Sequence, residues 1–261
     1  MQDKLVIVGG GRMGEALAGG LAAAGWPPER VAVVEADAER RRALHGAVAT
    51  VAEAAPVSGA VIAVKPGDVP AACEGLAGSG VERVVSIAAG VTTGDLARWL
   101  GGGPAVLRAM PNTAALVRRS ATALAAGPGA GPGDVAWARE VLEAVGTVVE
   151  LPEAALDAVT GLSGSGPAYV FLLAEALIDA GVLVGLARPV ARQLAVQTLL
   201  GSAHLLAETG GEPVDLRAAV TSPAGTTAAG LRALEQGGLR AAVLDAVAAA
   251  TSRARQLGGA G

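Results

Sequence analysis

The stretch KLVIVGGGRMGEALAGGL at residues 4–21 constrains this chain more than any other. Four apolar residues run into Gly9-x-Gly11-x-x-Gly14, and a helical pattern follows at once. Gly9 permits a tight turn, Gly11 lets a pyrophosphate approach the main chain, and Gly14 lets helix and strand pack closely. Arg12 and Met13 complete the turn. An anion held there meets unpaired N–H groups and the positive end of a helix dipole. A glycine turn in some other sheet protein would share the spacing. Here, however, a second apolar run at 31–35 ends in Glu35, where an acid can accept hydrogen bonds from the adenosine ribose hydroxyls. Strand, glycine turn, helix, strand and acid in that order predict a dinucleotide site for NADH or NADPH. Glu35 favours NADH by repelling a 2′-phosphate, while Arg40, Arg41 and Arg42 on the next helix either reach such a phosphate or are simply solvated.

Further apolar runs at 60–64, 83–87 and 105–109 alternate with turn residues and helical patterns. This is the grammar of an α/β Rossmann domain, a mostly parallel sheet with helices on both faces. AAGPGAGPGD at 125–134 reads as a loop, 135–144 as a helix, and 147–151 as a last strand that stops at Pro152. A domain boundary is expected there, between a nucleotide-binding domain at 1–152 and a second domain at 153–261. In the second domain Ala, Leu and Val recur at helical spacing through 167–185, 188–208 and 238–257, without strand alternation, so it is predicted to be all-α. VFLLAEALIDAGVLVGL is apolar nearly all round, and a helical domain of this size cannot enclose it alone. An obligate homodimer built through this half is the expected consequence.

Composition narrows the partners. Aromatic residues are 2% of the chain and the net charge is −4, which leaves neither stacking platforms nor a basic field for nucleic acid. The single cysteine, Cys73, allows no internal disulfide and reads as a small apolar residue. MQDKLVIVGGG at the start is neither a signal peptide nor a transit sequence, and a cytoplasmic location is expected. Mean hydropathy is +0.49, yet Asp157, Glu175 and Asp179 interrupt the richest apolar region. No segment is expected to reach the ~20 apolar residues of a spanning helix, so no membrane contact is expected either.

The acid–base inventory is thin. Two lysines (Lys4, Lys65), two histidines (His45, His204) and one tyrosine (Tyr169) are present, and the helical half has no lysine. The histidines read as ordinary helix residues, and no cluster suggests a metal site. Reducing a carbonyl needs a proton for the developing alkoxide. A protonated imine is already electrophilic and becomes a neutral amine on accepting hydride, so a site without a strong acid tilts toward C=N reduction, where positioning does most of the work. One uncharged loop, TSPAGTT at 221–227, fits that chemistry in one of two ways. Either Ser222 caps a helix with Pro223 at its first position, or the helix start is a neutral seat for a carboxylate.

SIAAGV (86–91), RAMPNTAALV (108–117), VTGLSGSGPAYVF (159–171) and TSPAGTT (221–227), in this order behind the glycine motif, resemble the pyrroline-5-carboxylate reductases over essentially the whole chain. The resemblance implies a Rossmann domain followed by a helical dimerisation domain, dimers that can assemble further, and NAD(P)H reduction of a small cyclic imine carboxylate to L-proline. It implies that Gly9, Gly11, Arg12, Met13 and Gly14 hold the pyrophosphate and that Val64, Lys65 and Pro66 lie beside the nucleotide. Ala88, Ala89, Met110, Pro111 and Asn112 would approach the nicotinamide. Ser222, Ala224, Gly225, Thr226 and Thr227 would surround the substrate, main-chain N–H groups on its carboxylate and the catalytic Thr227 hydroxyl near the ring nitrogen. Two positions depart from the family pattern: Ala224 stands where a glycine is usual, and Ala114 where a proline is. A hydroxyacid or 6-phosphogluconate-type dehydrogenase is the alternative enzyme, disfavoured by the lysine-free helical half. A non-catalytic NAD(P) sensor is the alternative outside enzymes, with no evident need for the 221–227 loop.

Overall fold

A computed structural model describes residues 4–44, 49–51 and 57–258. Among them eight strands form one sheet: β1 (Leu5–Val8), β2 (Val31–Val34), β3 (Ala49–Val51), β4 (Gly59–Ile62), β5 (Arg83–Ser86), β6 (Ala105–Met110), β7 (Ser120–Ala126) and β8 (Gly146–Glu150). Their spatial order is β3-β2-β1-β4-β5-β6-β7-β8. The first six are parallel, β7 runs antiparallel to β6, and β8 is parallel to β7. The helices of this half are α1 (Arg12–Ala23), α2 (Ala38–Ala43), α3 (Val69–Gly75), α4 (Thr93–Trp99), α5 (Pro132–Glu143) and α6 (Leu156–Val159).

Side chains alternate across a strand, so a strand covered on both faces is apolar at every position. β1 illustrates this. Leu5 and Ile7 join a core with Leu17 and Leu21 of α1 and Val141 and Leu142 of α5. Val6 and Val8 join a second core with Val69 of α3, with Leu76, and with Leu96 of α4. Cys73 lies in that second core, and burial pushes its thiol up to about 11, which keeps it protonated near neutrality.

Strands β3 and β7 were not expected from the sequence. β7 reads SATALAA, whose alanines favour helix over strand, and only its pairing with β6 and β8 makes it extended. Its last two residues occupy the start of the stretch read as a loop. Its buried Ser120 and Thr122 hydroxyls bond to each other at 3.1 Å.

The chain divides into two compact units, Met1–Ser165 with Ala248–Gly261, and Gly166–Val247. The second is wholly helical, built from α7 (Gly166–Leu183), α8 (Arg188–Thr209), α9 (Pro213–Ala219), α10 (Thr226–Gln236) and the start of α11 (Leu239–Gly258). α7 and α8 approach through small residues: a Cβ on Gly181 would lie 2.9 Å from the Ala191 Cβ. Asp179 pairs with Arg188 at 2.8 Å. Val170, Phe171, Leu172, Leu173, Leu183 and Leu194 are exposed. One helical stretch, Glu153–Leu183, has a hydropathy of 1.5 and is long and apolar enough by length and composition to cross a membrane. This corrects the expectation that no segment reaches that length, because short 3-10, α and π turns run on into α7.

Arg108 is a buried charge in β6. Its guanidinium lies 3.4 Å from Glu153 and 3.9 Å from Asp157, and Glu153 also accepts the Thr93 N–H at 2.7 Å. This cluster fastens the chain after β8 to β6 and to the start of α4. Removing one partner leaves the others poorly compensated in a low-dielectric setting. Arg108→Ala is therefore expected to lower the unfolding free energy by about 3 kcal/mol, seen as a lower urea midpoint at unchanged slope.

Candidate coenzyme and substrate sites

The register of the parallel strands aligns their carboxyl ends, with Val8 opposite both Val34 and Ile62, Ile62 opposite Ser86, and Ser86 opposite Arg108. Beyond these ends lie Gly9–Gly14, Glu35, Val64–Pro66, Ala88–Ala89 and Met110–Asn112. Every residue expected at the coenzyme thus follows one edge of the sheet. The strand order reverses between β1 and β4, from which successive strands are added outward on opposite sides, and this switch point is where open α/β sheets bind ligands.

The glycine turn is built by close approach. Gly9 has φ +109° and donates its N–H to the Val34 carbonyl at 2.8 Å. A Cβ on Gly14 would lie 1.9 Å from the Gly9 carbonyl oxygen, so α1 can start here only with glycine at that position. A Cβ on Gly11 would meet nothing within 4 Å, and no side chain caps α1. The first-turn N–H groups are thus left without a side-chain cap, which fits a pyrophosphate. Val64 packs on this turn, its Cγ1 2.8 Å from where a Gly9 Cβ would be, while Lys65 and Pro66 are exposed. Ala88 is buried and donates its N–H to the Ser86 hydroxyl at 3.2 Å, and Ala89 is half-buried.

Gly10 is the residue that motif spacing missed. Its N–H donates to Glu35 Oε2 at 3.1 Å and its carbonyl accepts from Arg40 Nε at 2.8 Å. A Cβ there would lie 2.5 Å from Leu44 Cδ1 and 3.0 Å from Glu35 Oε2. The middle glycine of the GGG run was the available signal. Glu35 also accepts the Asp37 N–H at 3.0 Å, so it braces the turn from both carboxylate oxygens. Arg41 donates to the carbonyls of Glu35 and Ala36, and Arg42 to that of Ala38, so all three arginines are bonded to main chain. Asp37 caps α2, and the N–H groups of Arg40 and Glu39 hold its carboxyl below the ordinary range.

Met110 and Asn112 meet the π-helical turn Thr160–Gly164, where Asn112 Nδ2 donates to the Ser163 carbonyl at 3.0 Å. Of the two histidines, His45 lies outside the described residues. His204 is exposed on α8, 3.5 Å from Glu208.

In the helical unit, the reading of Ser222 as a cap with Pro223 at the first helical position is corrected. α10 starts at Thr226 with Gly225 before it. Ser222-Pro223-Ala224-Gly225 is a tight turn closed by the Gly225 N–H on the Ser222 carbonyl at 3.0 Å. Ala224 has φ +56°, the left-handed conformation that a proline-led turn of this kind usually gives to glycine. Gly225 is closely approached, for a Cβ there would lie 2.4 Å from Ser222 Oγ and 3.1 Å from the Ser222 carbonyl oxygen. No side chain caps α10, so its first-turn N–H groups stay available beside Thr226 and Thr227.

A glycine turn of this geometry at the switch point of a doubly wound sheet, followed by a helical domain, defines an NAD(P)-dependent oxidoreductase. The family model described as pyrroline-5-carboxylate reductase dimerisation matches residues 153–257, and one described as NADP oxidoreductase, coenzyme F420-dependent, matches residues 4–90. A pyrroline-5-carboxylate reductase of Synechocystis sp. is 46% identical, over 99% of each chain. The solved structure of a pyrroline-5-carboxylate reductase from Coxiella burnetii superposes with a TM-score of 0.92 at 36% identity, covering 98% of this chain and 99% of that one. The Plasmodium falciparum pyrroline carboxylate reductase, solved with NADP bound, gives 0.87 at 29% identity over 99% of each chain. The chain belongs to the pyrroline-5-carboxylate reductase family, its coenzyme is NAD(P)H, and its helical half carries the dimerisation domain. Neither alternative, the hydroxyacid-type dehydrogenase or the NAD(P) sensor, is favoured.

Two substitutions probe this geometry. Gly14→Ala must push α1 off the turn and is expected to weaken NAD(P)H binding at least about tenfold, or 1.4 kcal/mol, by fluorescence titration. Ala224→Gly relieves a left-handed alanine and, net of glycine's extra chain entropy, is expected to raise stability by about 0.5–1 kcal/mol, by urea midpoint.

Proposed function

We propose that this chain reduces the C=N bond of 1-pyrroline-5-carboxylate to give L-proline. The observation that carries the reading is the uncapped start of α10 behind a neutral, hydroxyl-bearing turn. A substrate with one carboxylate can be held there by the N–H groups around Gly225, Thr226 and Thr227, with Ser222 and Ala224 shaping the seat. No cation is needed, and none of the helical half's residues is a lysine that would repel a protonated imine. NAD(P)H, when bound, supplies the hydride. The Thr227 hydroxyl acts at the ring nitrogen, orienting the imine and bonding to the amine as it forms.

On this reading residues 1–152 hold the nucleotide and residues 153–261 bind substrate and form the dimer. The pyrophosphate rests on Gly9, Gly11, Arg12, Met13 and Gly14. Glu35 takes the ribose hydroxyls, which favours NADH, while Val64, Lys65 and Pro66 flank the nucleotide. Ala88, Ala89, Met110 and Pro111 line the nicotinamide end, with Asn112 next to them in the chain. The exposed apolar side chains of α7 and α8 are covered by a second copy rather than by lipid, and dimers assemble further in the cytoplasm. A net charge of −4 gives nucleic acid no purchase.

The test is oxidation of NADH and NADPH with pyrroline-5-carboxylate as substrate. Thr227→Ala is expected to lower kcat on the order of 100-fold with coenzyme affinity unchanged. Wild-type kinetics in that variant would remove Thr227 from the mechanism, and a strong preference for NADPH would overturn the role given to Glu35.

A further inference from the structure

Both ends of the Asn112 amide are engaged by main chain. Its Oδ1 accepts the Ala114 N–H at 3.1 Å, capping the 3-10 turn Thr113–Val117, and its Nδ2 donates to the Ser163 carbonyl at 3.0 Å. Its own N–H donates to Ser120 Oγ at 3.0 Å. The side chain therefore holds protein on both sides.

The partner carbonyl is available for a reason written in the sequence. In an α-helix the Ser163 carbonyl would accept from the N–H four residues on, but that residue is Pro167, which has none. The helix widens at this point instead, with the Ser165 N–H reaching back to the Thr160 carbonyl at 2.8 Å. Such π turns recur at functional sites. Gly164 leaves room for Met110: a Cβ there would lie 2.9 Å from Met110 Cε. The MPN and SGSGP motifs thus interlock, proline freeing a carbonyl that asparagine takes and glycine admitting the methionine.

We propose that Asn112 is a positioning residue, which fixes Met110 and Pro111 against the π turn through the Ser163 carbonyl that Pro167 leaves unpaired, and does not itself contact the coenzyme. This rests on the reading of residues 110–112 as the nicotinamide end. A displacement of about 1 Å at a reacting centre costs on the order of 100-fold in rate, so loosening this lock acts on turnover and leaves the pyrophosphate and adenosine contacts alone.

Asn112→Ser separates the two bonds, because serine still caps the Ala114 N–H but cannot reach the Ser163 carbonyl. Pro167→Ala opens the lock from the other side by returning an N–H to that carbonyl. Both variants are expected to lower kcat on the order of 100-fold, with the coenzyme dissociation constant and the pH profile unchanged. Both are also expected to shift the nicotinamide emission of bound NADH. If Asn112→Ser does not fold, Pro167→Ala, which favours helix, carries the test. Wild-type kcat and emission in the folded variants would overturn the proposal, as would a parallel loss of coenzyme affinity in Asn112→Ser, which would mean direct contact. A wild-type enzyme inactive on pyrroline-5-carboxylate would refute the proposed substrate, while the emission of bound NADH would still decide the role of Asn112.

Discussion

A methyl group on residue 14 would sit 1.9 Å from the Gly9 carbonyl oxygen, so the approach of α1 to β1 depends on a side chain that is missing. The rest of the coenzyme edge follows from that approach. With α1 seated on the turn, its first-turn N–H groups follow Gly11 with no side-chain cap, which suits a diphosphate held by dipoles rather than by lysine. Glu35 and Arg40 then grip the two ends of the Gly10 peptide, one accepting its N–H and the other donating to its carbonyl. Acid and base together fix a backbone that has no side chain of its own to hold it. This joins the first two strands of the sheet to one electrostatic unit, in which Glu35, the residue proposed to read the ribose, is a structural brace.

The same economy governs the far side of the sheet. β6 carries a buried arginine whose charge is met by Glu153 and Asp157, both from the segment after β8. A few residues on, Asn112 reaches the same segment at Ser163. Two polar attachments therefore tie the carboxyl end of β6 to the chain that leads into α7, one ionic and one through a carbonyl that proline has released. Apolar packing alone would allow that segment to slide. Directional bonds with buried ends do not, because an unmade one costs its full desolvation.

What could be read from the sequence follows the strength of the local signal. β1, β2, β4, β5 and β6 were legible because strands covered on both faces carry apolar runs, and β8 because proline ends it. β7 was not, since Ser120, Thr122 and a run of alanines carry no strand signal, and their extended form comes from two neighbours distant in sequence. The grip on Gly10 was equally hidden, for Glu35 and Arg40 are 25 and 30 residues away. At 221–227 the structure corrects the local geometry. Ser-Pro reads as a helix start, but the positive φ of Ala224 turns the chain first and delays α10 to Thr226.

On the proposed reading, that delay is what lets an uncharged loop serve an anion. Had Ser222 capped the helix, its hydroxyl would have satisfied one of the first-turn N–H groups and competed with any ligand. By spending Ser222 on the turn and placing bare Gly225 before α10, the chain leaves those donors unmet by side chains. An alanine in the left-handed region costs about 1 kcal/mol, and strain of this kind persists where the surrounding structure fixes it. The neutral seat also suits the absence of lysine from the helical half. A cation placed to hold a carboxylate would act as well on a protonated imine in the same small molecule, and dipoles, whose field falls off faster, bind the one without opposing the other.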